Sequence, residues 1–175
     1  MKRVLVVVVV LAFAVPCLAQ PPKPGPEVQK LAYYVGTWKL ESDLRAGPWG
    51  PAGKISGTAT CEWFAGGFHV VCRGEFELTG SSERMTNLEI VSYDAEAKVY
   101  SYHGITSFGA SVSGKGSVTG NTWTWLWDEK VAGKPAKFRE TRVEKSPTSH
   151  TFSLEYSVTG GPWTILEEGT VTKVK

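Results

Sequence analysis

The stretch GTATCEWFAGGFHVVCRGEF, residues 57–76, predicts an antiparallel β-hairpin and, with it, the fold of the chain. Gly66 and Gly67 supply a two-residue turn, because glycine adopts the positive φ angles that tight hairpin turns need. This turn sets Cys61 directly opposite Cys72. Small and apolar residues then alternate with polar ones along both strands, so we expect one face of the hairpin to lie in the protein interior.

A second hairpin has its two-residue turn at Gly120 and Asn121. Polar side chains alternate with the tryptophans of its second strand, which predicts that the three indole rings point inward. Large rings would then cover backbone that small residues leave bare. The predicted cross-strand pairs are Trp123 with Val118, Trp125 with Gly116 and Trp127 with Gly114.

The alternation continues almost to the end of the chain, with turn residues at regular intervals. This pattern is typical of an all-β protein whose consecutive strands are antiparallel. A long sheet with one apolar face buries that face and pairs both edges only if it closes on itself. We therefore predict a ten-stranded antiparallel up-and-down barrel. Its strands span residues 36–45, 55–64, 68–78, 86–93, 98–106, 111–119, 122–129, 136–144, 150–158 and 163–174.

A short helix is predicted before the first strand, because Pro26 suits a first helical turn and apolar residues follow at helical spacing. The strand connections at the end of the barrel where this helix arrives are shorter than those at the other end. We expect the helix to plug the first end and the longer loops to line an open one. A ligand would enter near Trp49, Arg84 and Phe108.

The first 19 residues have the pattern of a secretory signal peptide. Lys2 and Arg3 form a basic start, Val4–Val15 is an unbroken apolar run, and a small-residue cleavage site ends at Ala19. A rival site ending at Ala14 would shorten the apolar run, so we favour the later cleavage. The sequence thus predicts a periplasmic or secreted protein.

Residues 20–25 form a proline-rich leader, and residues 26–175 are predicted to be a single domain. Cys17 lies in the signal peptide, and the proline before it makes a poor lipidation site, so we expect no lipid anchor. Cys61 and Cys72 are then the remaining two of the three cysteines. An exported protein would join them in a disulfide, in agreement with the hairpin register.

The motif Gly36-Thr37-Trp38, just after the predicted helix, resembles the Gly-x-Trp motif of lipocalins and related calycin barrels. The resemblance implies that Trp38 packs at the closed end of the barrel beneath a cation of the last strand, for which Lys173 is the candidate. The extra strands depart from the true lipocalin pattern.

Further motifs are spread over the mature chain: Glu62-Trp63 with Gly66-Gly67-Phe68, Tyr93-Asp94 with Lys98 and Tyr100, and the hairpin of residues 120–125. Together with Gly36-Thr37-Trp38 they resemble the uncharacterised bacterial proteins that contain domain of unknown function 1579. This resemblance covers nearly the whole mature chain. Its motifs are mostly structural, so it implies a fold and carries over no activity.

The charge balance and residue spacing exclude several classes of function. Lys2 and Arg3 belong to the leader, so 17 of the 19 basic residues stand against 17 acidic residues in the mature chain. A nucleic-acid-binding protein needs a surplus of cations, and we expect no such partner. No later stretch approaches the roughly 20 apolar residues of a membrane span. The three histidines are isolated, and we expect neither a metal site nor a cofactor.

The candidate binding site consists of inward-facing aromatic residues with two polar ones. Aromatic walls with few polar groups suit a small hydrophobic or aromatic molecule, and Arg142 would orient an acidic head group. His103 belongs to the site only if its strand turns it inward, since Tyr100 and Tyr102 compete for that face. The predicted ligand-binding residues are Trp63, Trp123, Trp125, Trp127, Phe138, Arg142, Tyr102 and His103.

Charged side chains are also predicted inside the barrel. The last hairpin turns Ile165 and Glu167 inward. The eighth strand has two alternatives: one register turns Glu140 and Arg142 inward with Phe138, and the register shifted by one residue turns Arg139 inward instead. Buried charges are costly, so these groups would pair with one another, contact water or meet a polar ligand group.

Binding of a small apolar or aromatic molecule in the barrel lumen is the function we favour. A packed barrel that serves as a cell-envelope interaction module is the first alternative, and a filled lumen would indicate it. An enzyme that uses His103 with Glu140 or Glu167 is another, and it requires those side chains to share a pocket. A haem barrel, with His103 or a tyrosine as iron ligand, is the fourth.

Overall fold

The computed structural model of the protein describes residues 23–174. A short helix α1, Pro26–Lys30, runs into a 3₁₀ turn, Leu31–Tyr34, and ten strands follow. The predicted signal peptide lies outside the described residues. The strands are β1 (Gly36–Leu44), β2 (Gly53–Trp63), β3 (His69–Leu78), β4 (Arg84–Asp94), β5 (Val99–Thr106), β6 (Ser111–Thr119), β7 (Thr122–Val131), β8 (Lys134–Ser146), β9 (Ser149–Val158) and β10 (Thr164–Val174).

The ten strands form one closed barrel in which each strand is antiparallel to the next and β10 returns to β1. The predicted all-β, ten-stranded antiparallel barrel with one short N-terminal helix is confirmed. The predicted strand bounds differ from the observed ones by two residues at most. Within residues 23–174, no helix is both long and apolar enough to cross a lipid bilayer.

The first hairpin has the predicted register. Cys61 lies opposite Cys72, and the two form a disulfide whose sulfur atoms are 2.04 Å apart. Gly66 and Gly67 both have positive φ angles, but the connection is longer than the predicted two-residue turn: the Phe64 N–H donates to the His69 carbonyl and the Gly67 N–H to the Phe64 carbonyl, which leaves four residues, 65–68, between the strands. On the chain-entropy model, closing so short a loop contributes roughly 2 to 3 kcal/mol to stability.

The second hairpin has the predicted register only near its turn. Trp123 lies opposite Val118 and Trp125 opposite Gly116, where a Cβ atom would come within 2.4 Å of the Trp125 ring. The pairing of β6 with β7 ends at Lys115 and Leu126, one residue before the third predicted pair, although a Cβ atom at Gly114 would still lie 3.4 Å from the Trp127 Cβ atom. Beyond that point β7 stays with β8, where Trp127 stacks on Phe138.

The helix end of the barrel is closed by a buried cluster. Leu31 and Tyr34 from the 3₁₀ turn pack against Trp38, Trp123 and Val70, and all five are at most 3% exposed. The Trp38 indole N–H donates a hydrogen bond to the Tyr34 carbonyl at 2.7 Å. The Lys173 ammonium lies 4.7 Å from the centre of the Trp38 ring. The first and last strands are therefore joined around one indole ring at this end.

The loop end of the barrel is more open. Inward-facing residues near the top of β2, β3 and β4, such as Ile55, Leu78 and Met85, are only half-buried. Trp49, on the loop between β1 and β2, packs edge-on against Tyr156 at 5.2 Å and against Phe138 at 5.8 Å. This loop covers part of the opening.

The last hairpin corrects one expectation. A bulge between Ile165 and Glu167 shifts the register of β10 against β9. Ile165, predicted to face inward, is 41% exposed, and Leu166 packs into the interior instead. Glu167 does face inward, and the Ser42 hydroxyl donates a hydrogen bond to it at 2.6 Å.

Candidate functional site

An interior cavity of about 100 Å³ lies within the barrel, toward the helix end. Because one ordered water needs about 10 to 15 Å³ on this measure, the space suits a compact molecule of roughly ten non-hydrogen atoms. Most of its lining is apolar. The apolar lining residues include Trp38, Leu40, Ala59, Phe76, Phe152 and Val171, with the Cys61–Cys72 disulfide beside them.

Arg142 and Glu140 form an ion pair in the cavity wall. The pairing of Arg142 with Phe152 selects the first of the two registers predicted for β8, so both charged side chains face inward. Arg142 Nε donates to one Glu140 oxygen and Nη2 donates to the other at 3.1 Å. The guanidinium also lies 5.5 Å from the centre of the Tyr34 ring. Arg142 is thus already engaged by a carboxylate in a two-point contact.

Arg139, the alternative inward residue, lies on the other face of β8. Its guanidinium pairs with Glu155 at 2.9 Å and stacks over Trp163 at 4.3 Å from the ring centre. Side chains alternate between the two faces of a strand, so Arg139 and Arg142, three residues apart, point to opposite faces. Because Arg142 points inward, Arg139 points outward.

Glu89 and Asn87 add a second polar group to the cavity wall. Asn87 Nδ2 donates a hydrogen bond to Glu89 Oε1 at 2.8 Å. Burial raises the pKa of Glu89, an effect that the positive charge of Arg142 partly offsets. The sequence analysis missed both residues. Since Glu89 pairs with Cys72, extending the hairpin register across to β4 would have placed it inside.

Three buried polar atoms in the cavity lining have no hydrogen-bond partner: the Tyr34 hydroxyl, Asn87 Oδ1 and His150 Nδ1. Tyr34 is 3% exposed and His150 4%. Burial, together with the charge of Arg142, lowers the pKa of His150 to about 3, so its ring is neutral at ordinary pH. A buried polar group without a partner costs about 1 to 3 kcal/mol, so each of these atoms favours a bound polar group.

The four tryptophans that were predicted to bind the ligand pack elsewhere in the interior. Trp123 and Trp125 stack with ring centres 6.1 Å apart, and Tyr102 packs against Trp125 at 6.0 Å. Trp127 stacks on Phe138 at 5.4 Å, nearer the loop end, and Trp63 packs against the closed-end cluster. These rings mostly contact one another. Contact of a ligand with them stays a prediction.

His103 lies on the outer face of β5. It is exposed, and its Nδ1 is 2.8 Å from the Ser113 hydroxyl. Tyr100 and Tyr102 take the inner face, and because side chains alternate along a strand, His103 must point outward. The expectation that His103 lines the lumen is therefore corrected. The enzyme hypothesis requires His103 to share a pocket with Glu140 or Glu167, and an outward-facing His103 does not.

The residues predicted at the ligand entrance lie at the loop end. Phe108 is 62% exposed and Arg84 forms an exposed ion pair with Glu77. Where β6 and β7 separate, a surface groove runs along the barrel wall to Trp127 and Phe138. The loop end therefore offers solvent contact to the aromatic residues of the upper interior.

Solved structures share this fold. Rv2717c from M. tuberculosis superposes with a TM-score of 0.64 at 11% identity, over 87% of this chain and 100% of that one. The S-type phycobiliprotein lyase CPES from Guillardia theta superposes with a TM-score of 0.63 at 10% identity, over 84% of this chain and 92% of that one. At such low identities the similarity concerns the fold. A comparison with curated protein sequences finds no match.

A protein-family model matches the sequence of the chain. Residues 23–173 match the family described as protein of unknown function DUF1579. The matched range contains the helix and nine strands in full and all but the last residue of β10. The resemblance predicted from Gly36-Thr37-Trp38 and the other motifs is confirmed, and the chain belongs to the DUF1579 family.

Proposed function

We propose that the protein is a calycin-like barrel that binds a small, mainly apolar or aromatic molecule in its interior cavity. One observation carries the proposal: three buried polar atoms without partners lie in a cavity whose lining is otherwise largely apolar. Ligand sites commonly combine an apolar wall with a few convergent polar groups. A ligand that satisfies these atoms would gain both kinds of contact.

The architecture supports the same proposal. The helix end is sealed by Leu31 and Tyr34, whereas the loop end leaves inward-facing residues half-buried, so the cavity would be reached from the loops. A ten-stranded barrel encloses enough space for side chains and one small ligand. The Guillardia theta neighbour is named as a phycobiliprotein lyase, and the shared fold is compatible with handling a small molecule.

Ligand binding should change tryptophan emission. Trp38 lines the cavity, and Trp123 contacts the Tyr34 ring at 5.1 Å, so an occupant would alter the surroundings of both indoles. We expect compact aromatic compounds to bind with Kd on the order of 10 µM to 1 mM, as suits roughly ten non-hydrogen atoms. Titration with a panel of aromatic compounds graded by size checks this, with the larger members expected not to bind.

A pair of neighbouring substitutions locates the site. Ala59 lines the cavity and Thr58 is exposed on the other face of the same strand. Ala59→Phe should fill the space and abolish the emission change, while Thr58→Phe should leave it intact. Equal binding by both variants, or no response to any member of the panel, would refute the proposed function.

We further propose that the protein is exported. The support is the signal-peptide pattern of residues 1–19 and the Cys61–Cys72 disulfide, a bond that persists in oxidising compartments. The intact mass of protein isolated from its source should correspond to a chain that begins at Gln20. Alkylation before reduction should modify no cysteine of that chain. A chain that retains the first 19 residues and has all three cysteines alkylatable before reduction would contradict export.

A further inference from the structure

The charges around the cavity do not balance when Glu89 is ionised. Glu89, Glu140 and Arg142 line it, and the guanidinium of Arg142 is held at two points by Glu140. That pair is neutral as a unit. The carboxyl group of Glu89 is contacted by two uncharged groups, the Asn87 amide that donates a hydrogen bond to it and the Tyr102 hydroxyl, so it has no opposite charge of its own.

We propose that the ligand carries a protonated amine or a comparable N–H donor, and that Glu89 is the group that receives it. This inference rests on the proposed function and specifies the ligand class. A cation would supply the charge that Glu89 lacks, and a charge-assisted hydrogen bond in a partly dry site is stronger than one between neutral groups. An acidic ligand, which the sequence suggested for Arg142, would instead bring a third carboxylate to the wall.

The unpartnered atoms favour the same ligand. Because Asn87 Nδ2 donates to Glu89, the amide turns its oxygen away as a free acceptor. An ammonium group carries three N–H donors, so it can bond to Glu89 and to a second acceptor in the wall. The aromatic body of the ligand would lie against the apolar lining that includes Phe76 and Phe152.

Glu89 should also confer a pH dependence. Burial raises the pKa of its carboxyl group, with the neighbouring charge of Glu140 acting in the same direction and that of Arg142 opposing it. Tyr34 and Tyr102 stay neutral because burial raises the pKa of both hydroxyls. The titratable and charged groups that surround Glu89 are Arg142 and Glu140 on β8, Tyr102 on β5, Tyr34 after α1 and His150 on β9.

The direction of the pH dependence follows from the charge that Glu89 needs in order to bind the amine. Glu89 must be ionised to receive a cation, and the amine is protonated throughout the acidic and neutral range. Affinity for the amine should therefore be full above the raised pKa of Glu89 and fall as pH drops through it, by up to about tenfold per pH unit. His150 does not contribute near neutrality, because its pKa is lowered to about 3.

Three monocyclic aromatic compounds of nearly equal size test the ligand class: benzylamine, benzyl alcohol and benzoate. Each fits a cavity for roughly ten non-hydrogen atoms. Binding is measured through the tryptophan emission of the oxidised full-length mature chain. We expect benzylamine to bind at least tenfold more tightly than the other two, and only benzylamine to lose affinity as the pH falls.

Glu89→Gln keeps the shape and removes the charge, so it should weaken benzylamine roughly 10- to 100-fold and abolish the pH dependence, while benzyl alcohol is unaffected. Glu75→Gln, exposed on the outer face of β3, is the matched control and should change nothing. Equal or tighter binding of benzoate or benzyl alcohol, or an unchanged affinity in Glu89→Gln, overturns this inference and leaves the proposed function standing. Failure of all three compounds to bind a chain that binds another member of the aromatic panel overturns this inference alone, and no response to the whole panel overturns both.

Discussion

Replacing Trp38 by alanine should lower the free energy of unfolding by about 3 to 5 kcal/mol, the range for a large aromatic side chain removed from a core. Trp38 is 3% exposed, and its ring lies under the Lys173 ammonium on the last strand. Its indole N–H bonds to the Tyr34 carbonyl. The substitution therefore leaves a void, an unpaired carbonyl and an unsupported closing strand at once.

Equilibrium unfolding in denaturant measures the loss, with Trp49→Ala as the matched control. Trp49 is 51% exposed and lies over the open end, so its removal should cost far less. A loss below about 1 kcal/mol for Trp38→Ala would place this residue outside the core, since surface substitutions typically cost no more than about 0.5 kcal/mol. The account of the closed end would then be wrong.

Arg142→Met should be comparably damaging, at about 3 to 5 kcal/mol, because it leaves the carboxylate of Glu140 in the interior without its partner. The side chains of Glu140 and Arg142 are 17% and 18% exposed. Removing both charges together in Glu140→Leu with Arg142→Met should recover most of the loss, since an apolar pair needs no compensation.

The neighbouring Arg139 provides the control for this second prediction. Arg139→Met breaks an ion pair with Glu155 on the outer face, which is worth about 1 kcal/mol or less in such a setting. Thermal or denaturant unfolding of the four proteins, including the double variant, gives the comparison. Equal losses for Arg142→Met and Arg139→Met would contradict an interior ion pair.

Much of the fold could be predicted because local chemistry settled the register. Gly66-Gly67 marks the centre of the first hairpin, and pairing the strands about this centre sets Cys61 opposite Cys72. The alternation of side chains then assigned the interior of both hairpins. The inward position of Glu140 and Arg142 was one of two alternatives, and the choice depended on the register between β8 and β9, which a bulge between Glu144 and Ser146 shifts next to the turn.

The structure differs from the sequence-based predictions where the strand pairing is irregular. Nothing in the sequence of β10 marks the bulge that turns Leu166 inward in place of Ile165. The sequence also does not mark where the pairing of β6 with β7 ends, one residue before Gly114 and Trp127. The alternation of side chains predicts which rings lie inside, but it does not predict that Trp123 and Trp125 fill space by stacking on one another.

The measurement that tests the central claim most directly is a titration followed through the indole N–H signals in ¹H–¹⁵N NMR spectra. The chain has seven tryptophans, and each reports on its own surroundings. With the tightest compound of the size-graded panel, the signal of Trp38 in the cavity wall should shift saturably, while that of Trp163 outside the barrel stays fixed. Shifts confined to Trp163 and Trp49, or none at saturating compound, would contradict an interior binding site.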